Sequence, residues 1–317
     1  MLSPSEIIQR AHAWRKRRFV YRIEEKINKD PLNHYLILSD PRGGSTWLAE
    51  IINLITGAPI IWEPLHIKNN PNFRDLGFGI REYIPEDQKW KECEKEFEML
   101  FKGKTLNTWT LKHASPKAIT LSDRFLFKFC RGNSLLPWLT TNFSFRLKPV
   151  HLLRHPFAVI SSQLKQGGWD QGFEDFSIPT GHNRYIYTKH KTFLDSLQTR
   201  EETLTALWCI SNSVPLYKNK RNHEWITIFY EDLVINPRSQ IETIFRHWGL
   251  DMPEFNFEFN KNSRTSLKDT PQSPEMRIGR WKQEIDAWKI ERMQKVLHYF
   301  GFDLYAWHTP YPRKIVD

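Results

Sequence analysis

The 317-residue chain is poor in cysteine and in long apolar runs, and both shortages exclude classes of protein. Its three cysteines, Cys93, Cys130 and Cys209, are odd in number, lie far apart and show no CxxC or Cys/His spacing. That pattern predicts neither a disulfide framework nor a zinc site, because both need closely organised cysteine sets. We interpret all three as packed free thiols.

The apolar runs span only a few residues, far fewer than the ~18 that a membrane-spanning helix needs. No charged segment followed by an apolar stretch opens the chain as a secretory leader would. We therefore expect a soluble, cytoplasmic protein. Its 40% hydrophobic and 14% aromatic residues are ample for a packed core.

Positive charge is in excess, since 46 lysines and arginines face 36 acidic residues, for a net charge of +10. This excess predicts an anionic partner: a nucleic acid, a membrane surface or a phosphorylated small molecule. The densest basic run, 15–18, lies in the N-terminal segment 1–30, where Ser3, Pro4 and Glu6 resemble a helix capping box. We interpret this segment as a basic surface helix, with peripheral membrane contact or nucleic-acid docking as alternatives.

The alternation of apolar strand-like and helix-like segments predicts an α/β fold. The predicted strands are 34–40, 108–114, 148–154 and 225–232. The predicted helices are 45–56, 156–166, 200–219, 237–248 and 284–299. We expect one domain at 31–317, with a central parallel β-sheet flanked by helices.

Two segments rich in glycine, asparagine, aspartate and aromatic residues, 67–107 and 167–199, lack clear strands. They are expected to be insertions over one edge of the sheet, forming an acceptor pocket or a lid. Polar residues end the predicted strands, and ligands of open α/β sheets bind at the carboxyl ends of strands. The same edge is therefore the expected ligand site.

A glycine-rich turn, in the sequence LSDPRGGSTWLAEII at 38–52, joins the first predicted strand to a helix. Glycines let backbone N–H groups approach a ligand closely, and a helix N-terminus favours an anion. The turn is thus predicted to hold a phosphate, with tight strand–helix packing as the alternative. It lacks the GxxxxGK[ST] spacing and lysine of nucleoside triphosphatase loops, which disfavours that class.

A second predicted anion site lies in HLLRHPFAVISS at 151–162, where Arg154 ends a strand and Ser162 follows two helical turns later. An arginine fork gives charge-assisted hydrogen bonds to a phosphate, and a serine hydroxyl adds a neutral one. Two phosphate sites on neighbouring strand ends imply a ligand phosphorylated at two places.

Four fragments carry a family resemblance: DPRGGSTWLAEII, HLLRHPFAVISS, IFYEDLVINP and RIGRWKQEI, in this order between residues 40 and 285. Together they resemble the sulfotransferases that use 3′-phosphoadenosine 5′-phosphosulfate (PAPS), and the bacterial and carbohydrate-type branch more than the cytosolic phenol and steroid branch. The resemblance implies sulfuryl transfer from PAPS, as co-substrate and without a metal, to a hydroxyl or amine by in-line displacement. The glycine-rich turn then corresponds to a P-loop-like phosphosulfate-binding turn.

The resemblance also implies the nucleotide-binding residues. The 5′-phosphosulfate would lie on the turn formed by Arg42, Gly43, Gly44, Ser45, Thr46 and Trp47, with Trp47 stacked on adenine. Arg154 and Ser162 would hold the 3′-phosphate, and Tyr230 would contact the adenine. The late segment would close over the nucleotide through Arg277, Gly279, Arg280 and Trp281, with either Arg277 or Arg280 reaching the 3′-phosphate.

The implied catalytic residues are Arg42 and one of two bases. Arg42 would act as an electrostatic clamp, because its guanidinium does not give up its proton. His113, in LKHASP, resembles the histidine of a Thr-His-Leu-Pro stretch, and Glu63, in WEPLH, resembles a Glu-Pro pair. Both remain candidates for the base. Lys112 is expected to help neutralise the sulfuryl oxygens.

The expected partner is a small-molecule or glycan acceptor rather than a nucleic acid. The sequence does not indicate which oligomeric state the protein adopts. A pocket for a sugar face, a phenol or an apolar product is expected to use aromatic side chains of Trp62, Phe73, Phe78, Trp169, Phe173 and Phe176. Two rival classes remain. One is a nucleotide or small-molecule kinase on a related fold, and the other is a non-catalytic polyanion-binding protein.

Overall fold

The computed structural model describes residues 18–20, 27–167, 184–222, 224–255, 259, 262–266 and 273–313. Most of the predicted N-terminal helix, including its capping box and residues 15–17, lies outside these ranges. So do Trp169, Phe173 and Phe176 of the expected acceptor pocket.

A five-stranded sheet forms the centre of the molecule. Its strands are β1 (Tyr35–Ser39), β2 (Ile60–Trp62), β3 (Leu126–Phe129), β4 (Val150–Leu153) and β5 (Ile226–Phe229). They lie in the order β2-β3-β1-β4-β5, and every neighbouring pair is parallel. This confirms the predicted α/β class and places all five carboxyl ends at one edge.

Helices flank the sheet. They are α1 (Ser45–Thr56), α2 (Pro71–Asp75), α3 (Lys91–Phe101), α4 (Pro116–Leu121), α5 (Leu136–Asn142), α6 (Pro156–Gln166), α7 (Arg184–Lys189), α8 (Lys191–Asp195), α9 (Arg200–Asn222), α10 (Tyr230–Ile235), α11 (Pro237–His247), α12 (Pro274–Gly279), α13 (Trp281–Glu284) and α14 (Ala287–Tyr299). A 3₁₀ turn, Asn133–Leu135, precedes α5. No helix within the described ranges is long and apolar enough to cross a membrane.

Alternating side chains of β1 and β3 face two separate cores. Leu36 and Phe127 belong to an aromatic core that includes Phe97 of α3, whereas Ile37 and Leu126 pack on the other face. This two-residue alternation is the ordinary geometry of a strand. Buried residues from both faces hold the sheet between the helices and fix the edge at which its strands end.

The predicted strand at 108–114 is wrong, because this segment forms turns. The side chain of Asn107 accepts hydrogen bonds from the backbone N–H groups of Trp109 (2.9 Å) and Thr110 (3.0 Å). Such local side-chain bonds offer the backbone an alternative to a strand ladder. The sheet position is filled by β3, which the sequence reasoning missed together with β2.

Part of the predicted acceptor pocket belongs to the core. Phe73 and Phe78 are buried and pack against each other with tilted rings, whose centroids lie 5.1 Å apart. Both also pack against Phe97. They stabilise the segment 67–107 against the sheet and do not reach the cavity described below.

Candidate active site

A cavity of about 360 Å³ opens at the carboxyl edge of the sheet. Each strand delivers a residue to its wall at or just beyond its last residue, and these five are Arg42, Glu63, Cys130, Arg154 and Tyr230. The volume lies within the ~300–1,000 Å³ of small-molecule sites. The position matches the edge at which ligands of open α/β sheets bind.

The cavity has two halves of different chemistry. We call one the loop half, which comprises Arg42, residues 44–47, Arg154, Ser162, Lys165, Tyr230, Arg277, Arg280 and Glu284. The predicted site residue Gly43 does not line the cavity. We call the other the Glu63 half, which comprises Trp62, Glu63, Trp109, Lys112, Lys128 and Arg131.

The turn after β1 has a backbone that only glycine can supply at Gly44. Gly44 has a φ of 96°, and a β-carbon added there would lie 2.3 Å from Cδ2 of Tyr230. Arg42 also adopts a positive φ, of 69°, which is unusual for a residue with a side chain. The turn is therefore held in a conformation that brings its backbone against the Tyr230 ring.

The N-terminus of α1 opens into the cavity. Gly44 is the N-cap residue and provides no side-chain cap, and the first turn of α1 carries no acidic residue. Ser45 and Thr46 line the cavity. An uncapped helix start leaves N–H donors and a positive dipole end that favour an anion.

A buried polar network around Asp40 stabilises the turn. The Asp40 carboxylate accepts hydrogen bonds from Asn212 (2.7 Å) and Asn133 (3.2 Å), and Arg81 lies 3.2 Å away in an ion pair. The Asp40 carbonyl accepts the N–H of Gly43 at 2.9 Å. Burial raises the pKa of Asp40, although the Arg81 charge and the Asn212 hydrogen bond oppose that rise. This network joins the turn to α9 and to the segment 67–107.

The two predicted anion sites are adjacent in the structure. Arg42 donates from Nε to Ser162 Oγ at 3.1 Å, and Arg154 donates from Nη1 to the carbonyl of Arg42 at 3.0 Å. The Arg154 guanidinium also lies 4.4 Å from the centroid of the Tyr230 ring. Burial and the nearby charge of Arg154 lower the pKa of Arg42. Two close guanidinium groups of this kind are stabilised by an anion between them.

Aromatic side chains border the same half. Trp47 and Tyr230 are buried and meet edge to face with ring centroids 6.3 Å apart. Trp281 lines the cavity and stacks against His155 with centroids 4.7 Å apart. These rings place flat apolar surface beside the two anion sites.

The late segment places two arginines at the cavity. Arg277 and Arg280 both line the cavity, and Arg280 forms an ion pair with Glu284. Glu284 also accepts from Lys165 at 2.6 Å. Gly279 does not line the cavity, and a β-carbon added there would meet nothing within 4 Å. Contact with the described part of the chain therefore does not explain the glycine at 279.

Glu63 is the centre of the other half. It adopts a φ of 40° and accepts from Lys128 at 2.9 Å and from Arg131 at 3.3 Å. Burial alone raises a carboxyl pKa, but the two cations outweigh it and lower the pKa of Glu63 to about 2. Lys128 is itself buried and also donates to Cys130 Sγ at 2.8 Å. Glu63 is therefore ionised throughout the physiological range.

Two tryptophans and a third cation complete this half. The ammonium of Lys112 lies 3.6 Å from the ring centroid of Trp109 and 4.5 Å from that of Trp62. The ammonium of Lys128 lies 3.9 Å from the same Trp62 ring. Cations over indole faces are electrostatically favourable. This half is thus both aromatic and positively charged.

The two base candidates differ in position. Glu63 lines the cavity, whereas His113 is exposed and does not. His113 meets the edge of the Trp62 ring, with centroids 4.4 Å apart. The other predicted site residues that line the cavity are Arg42, Gly44, Ser45, Thr46, Trp47, Arg154, Ser162, Tyr230, Arg277, Arg280 and Trp281.

Sequence reasoning missed Lys128 and Arg131 because it missed β3. The signal was the short apolar run around LFKF, bounded by Asp123 on one side and Gly132 on the other. A lysine in its centre made it unlike the other buried strands. Within the described ranges, no group of three or more histidine, cysteine, aspartate or glutamate side chains is placed to hold a metal ion.

Comparison with known proteins identifies the family. A family model described as the sulfotransferase domain matches residues 32–305. The chain is similar to the sulfotransferase domain of the Synechococcus PCC 7002 olefin synthase, with 18% identity, a TM-score of 0.46, and coverage of 87% of this chain and 97% of that one. It is also similar to a sulfotransferase domain from the curacin biosynthetic pathway, with 16% identity, a TM-score of 0.45, and coverage of 86% and 99%.

No curated protein matches the chain. The family model nevertheless spans most of its length and covers all five strands of the sheet. The chain therefore belongs to the sulfotransferase domain family and is an enzyme that transfers sulfuryl groups.

Proposed function

We propose that the enzyme transfers the sulfuryl group of PAPS to a hydroxyl or amine of a carbohydrate or other small-molecule acceptor. The observation that carries this proposal is the contact between the two anion sites. Arg42 joins the turn after β1 to Ser162, and Arg154 donates to the Arg42 backbone. One ligand with a phosphosulfate at one end and a phosphate at the other satisfies both sites.

The loop half has the groups that this donor requires. The open N-terminus of α1 suits the phosphosulfate, and Arg154 with Ser162 suits the 3′-phosphate. Trp47 and Tyr230 line the same half of the cavity, and their rings suit contact with the adenine. Arg277, which is buried, and Arg280, which pairs with Glu284, both line the cavity and are both candidates for contact with the 3′-phosphate.

Catalysis in this arrangement depends on position and charge. PAPS supplies the sulfuryl group, whose bond to the phosphate oxygen breaks as the acceptor oxygen or nitrogen bonds to sulfur in line. Arg42 stabilises the negative charge that grows on the leaving phosphate, because its guanidinium stays protonated. Lys112 and Lys128 face the same cavity from the Glu63 half and add positive charge beside the reacting group.

We propose Glu63 as the group that orients the acceptor and accepts its proton, with His113 as the alternative. Glu63 lines the cavity, and His113 does not. With its pKa lowered to about 2, Glu63 is a weak base. It therefore suits an acidic acceptor, or one whose proton leaves only when the sulfur–oxygen bond is largely formed.

The test is turnover with PAPS against acceptor panels of sugars, phenols and amines, read by product mass and by formation of 3′-phosphoadenosine 5′-phosphate (PAP). Arg42→Ala should reduce kcat/KM by roughly 100-fold or more, as expected for loss of a transition-state charge contact. Arg154→Ala should raise the KM for PAPS by about 10- to 100-fold, the size of a charge-assisted hydrogen bond.

Arg74→Ala is the matched control, because Arg74 is exposed and, among the described residues, its guanidinium pairs with the neighbouring Asp75. It should behave as wild type. Phosphoryl transfer from ATP, or wild-type kinetics in both Arg42→Ala and Arg154→Ala, would overturn the proposal.

A further inference from the structure

A buried carboxylate adjoins the loop half of the cavity. Glu231 follows Tyr230, which lines the cavity, and the two residues open α10 just after β5. Glu231 itself is fully buried and does not line the cavity. Burial raises its pKa to about 7, because a buried carboxylate is costly unless hydrogen bonds stabilise it. The partners of Glu231 therefore indicate what it does in the fold.

The carboxylate joins two segments that are distant from it in the sequence. Glu231 Oε1 accepts a hydrogen bond from the backbone N–H of His155 at 2.9 Å, and Oε2 accepts one from the hydroxyl of Tyr305 at 2.9 Å. His155 directly follows Arg154 and is the N-cap residue of α6, the helix that carries Ser162. Glu231 therefore links the start of α10 to the backbone from which the Arg154–Ser162 pair extends.

The side chain of His155 is fixed at the same junction. Its Nδ1 accepts from the backbone N–H of Phe157 at 3.2 Å, and its Nε2 lies 3.4 Å from the carbonyl oxygen of Ala306. Its ring packs against those of Trp281 and Tyr305, in each case with centroids 4.7 Å apart. Burial lowers the pKa of His155 to about 3, so the imidazole is neutral near pH 7. This residue is thus held through both its backbone and its ring.

The position of Arg154 depends on this junction. The guanidinium lies 4.4 Å from the ring centroid of Tyr230, so the ends of β4 and β5 must keep their spacing for this contact to persist. The last paired residues of the two strands are Leu153 and Phe229. Beyond that pair, the carboxylate of Glu231 continues the connection, because it binds the backbone of the residue after Arg154.

We propose that Glu231 and Tyr305 are positioning residues for the 3′-phosphate: they fix the backbone at which α6 begins, so that Arg154 and Ser162 form one preformed site. This inference rests on the proposed function, because it concerns the phosphate that this pair is proposed to hold. Neither positioning residue lines the cavity. Loss of their hydrogen bonds should weaken binding of the 3′-phosphate more than that of the 5′-phosphate, which is proposed to lie on the turn after β1.

The experiment measures the contribution of each phosphate by calorimetry, at about pH 8 so that Glu231 is mostly ionised. The affinity of PAP relative to adenosine 5′-phosphate is the 3′-phosphate contribution, and its affinity relative to adenosine 3′-phosphate is the 5′-phosphate contribution. Glu231→Leu removes both hydrogen bonds and should lower the 3′-phosphate contribution about tenfold, the size expected when buried polar groups lose a partner. Glu231→Gln keeps an acceptor for the His155 N–H and a partner for the Tyr305 hydroxyl, so it should retain at least the wild-type contribution.

Tyr305→Phe removes a single hydroxyl and decides the question if Glu231→Leu does not fold. It should lower the 3′-phosphate contribution about threefold. Tyr217→Phe is the matched control, because the Tyr217 hydroxyl, from α9, also binds the C-terminal segment, at the carbonyls of Phe300 (3.4 Å) and Gly301 (3.2 Å). It should leave both phosphate contributions unchanged.

The inference and the proposed function fail in different ways. If wild type binds PAP no more tightly than adenosine 5′-phosphate, the proposed 3′-phosphate site is wrong and the inference falls with it. If wild type discriminates but the folded Glu231→Leu and Tyr305→Phe variants keep its full 3′-phosphate contribution, only the inference is wrong. An equal loss of both phosphate contributions in these variants would also overturn the inference, because it would show a general loosening of the fold.

Discussion

The two halves of the cavity are built by different means. In the loop half, backbone conformation positions the binding groups, as Gly44 and Arg42 show with their positive φ angles. In the Glu63 half, Glu63 also has a positive φ, but ion pairs join it, just after β2, to Lys128 in β3 and to Arg131 in the following loop. The loop half should therefore be sensitive to substitutions that add atoms, and the Glu63 half to substitutions that remove charges. The predictions below test this contrast.

The largest expected effect on nucleotide affinity is that of Gly44→Ala. The new methyl group would overlap the Tyr230 ring at 2.3 Å, and the residue would keep a left-handed backbone. Overpacking and an unfavourable φ each cost about 1–3 kcal/mol. We expect PAP affinity to fall roughly 100-fold by calorimetry, with the fold retained by circular dichroism.

Gly77→Ala is the matched control for that experiment. Gly77 has a similar φ of 88°, but a β-carbon added there would meet no atom of the described residues within 4 Å. Gly77→Ala should lower the free energy of unfolding by about 1 kcal/mol, because alanine disfavours a positive φ, and should leave PAP affinity unchanged. Equal PAP affinity in Gly44→Ala and wild type would contradict the account of the turn.

Lys128→Met, which removes a buried charge from the Glu63 half, is expected to lower the free energy of unfolding. Of its ion pairs with Lys128 and Arg131, Glu63 would keep the longer one, with Arg131. Breaking a buried ion pair from one side costs about 3–5 kcal/mol, because the remaining charge is left under-compensated. Urea unfolding should show this loss, and the double variant Glu63→Gln with Lys128→Met should recover part of it.

Lys295→Met serves as the control, because Lys295 pairs with Glu291 on the surface, where both side chains are 70% exposed. Its effect should be within about 0.5 kcal/mol. If Lys128→Met is equally mild, the Glu63 half is not held by its ion pairs.

The smallest effect is expected from pH. A base must be deprotonated to act, so activity falls below the pKa of the base. Because the pKa of Glu63 is lowered to about 2, kcat/KM should change less than about threefold between pH 5 and 8. The stability that the ion pair provides is likewise present above the unfolded value of 4.5 and is lost only as the pH falls toward 2.

A histidine base predicts a different profile. An ordinary imidazole has a pKa of about 6.5, so activity would fall as the pH decreases through that value. A falling limb there that persists in Glu63→Gln and disappears in His113→Gln would assign the proton to His113. That result would contradict the role proposed for Glu63.

Parts of the fold were predictable because local signals mark their ends. The predicted bounds 45–56 and 156–166 agree with those of α1 and α6. Glycines at 57 and 167 follow these helices, and Pro156 opens the second. Turn and cap residues act on their immediate neighbours, so a single sequence shows their effect.

The strands β2 and β3 were missed for a physical reason. Lys128 lies in the middle of β3, and its burial depends on Glu63, which is far away in the sequence. Local pattern reasoning does not see such tertiary pairs. Conversely, the segment 108–114 resembled a buried strand, but the Asn107 side chain holds it in turns.

The residues of the loop half were largely predictable, whereas in the Glu63 half Trp62, Glu63 and Lys112 were predicted and Trp109, Lys128 and Arg131 were missed. The anion sites at Arg42 and Arg154 each lie within one strand–turn–helix unit, whose sequence is contiguous. The network of Asp40 with Arg81 and Asn212 joins three distant segments, and nothing in the local sequence points to it. The roles of the individual site residues stay predictions.

The central claim is that a single nucleotide bridges the turn after β1 and the Arg154–Ser162 pair. The most direct test compares the binding of PAP with that of adenosine 5′-phosphate, which lacks the 3′-phosphate, in wild type and in Arg154→Ala. PAP should bind about 10- to 100-fold more tightly to wild type, and Arg154→Ala should largely abolish the difference. Equal affinity of wild type for the two nucleotides, or no binding of PAP, would contradict the account.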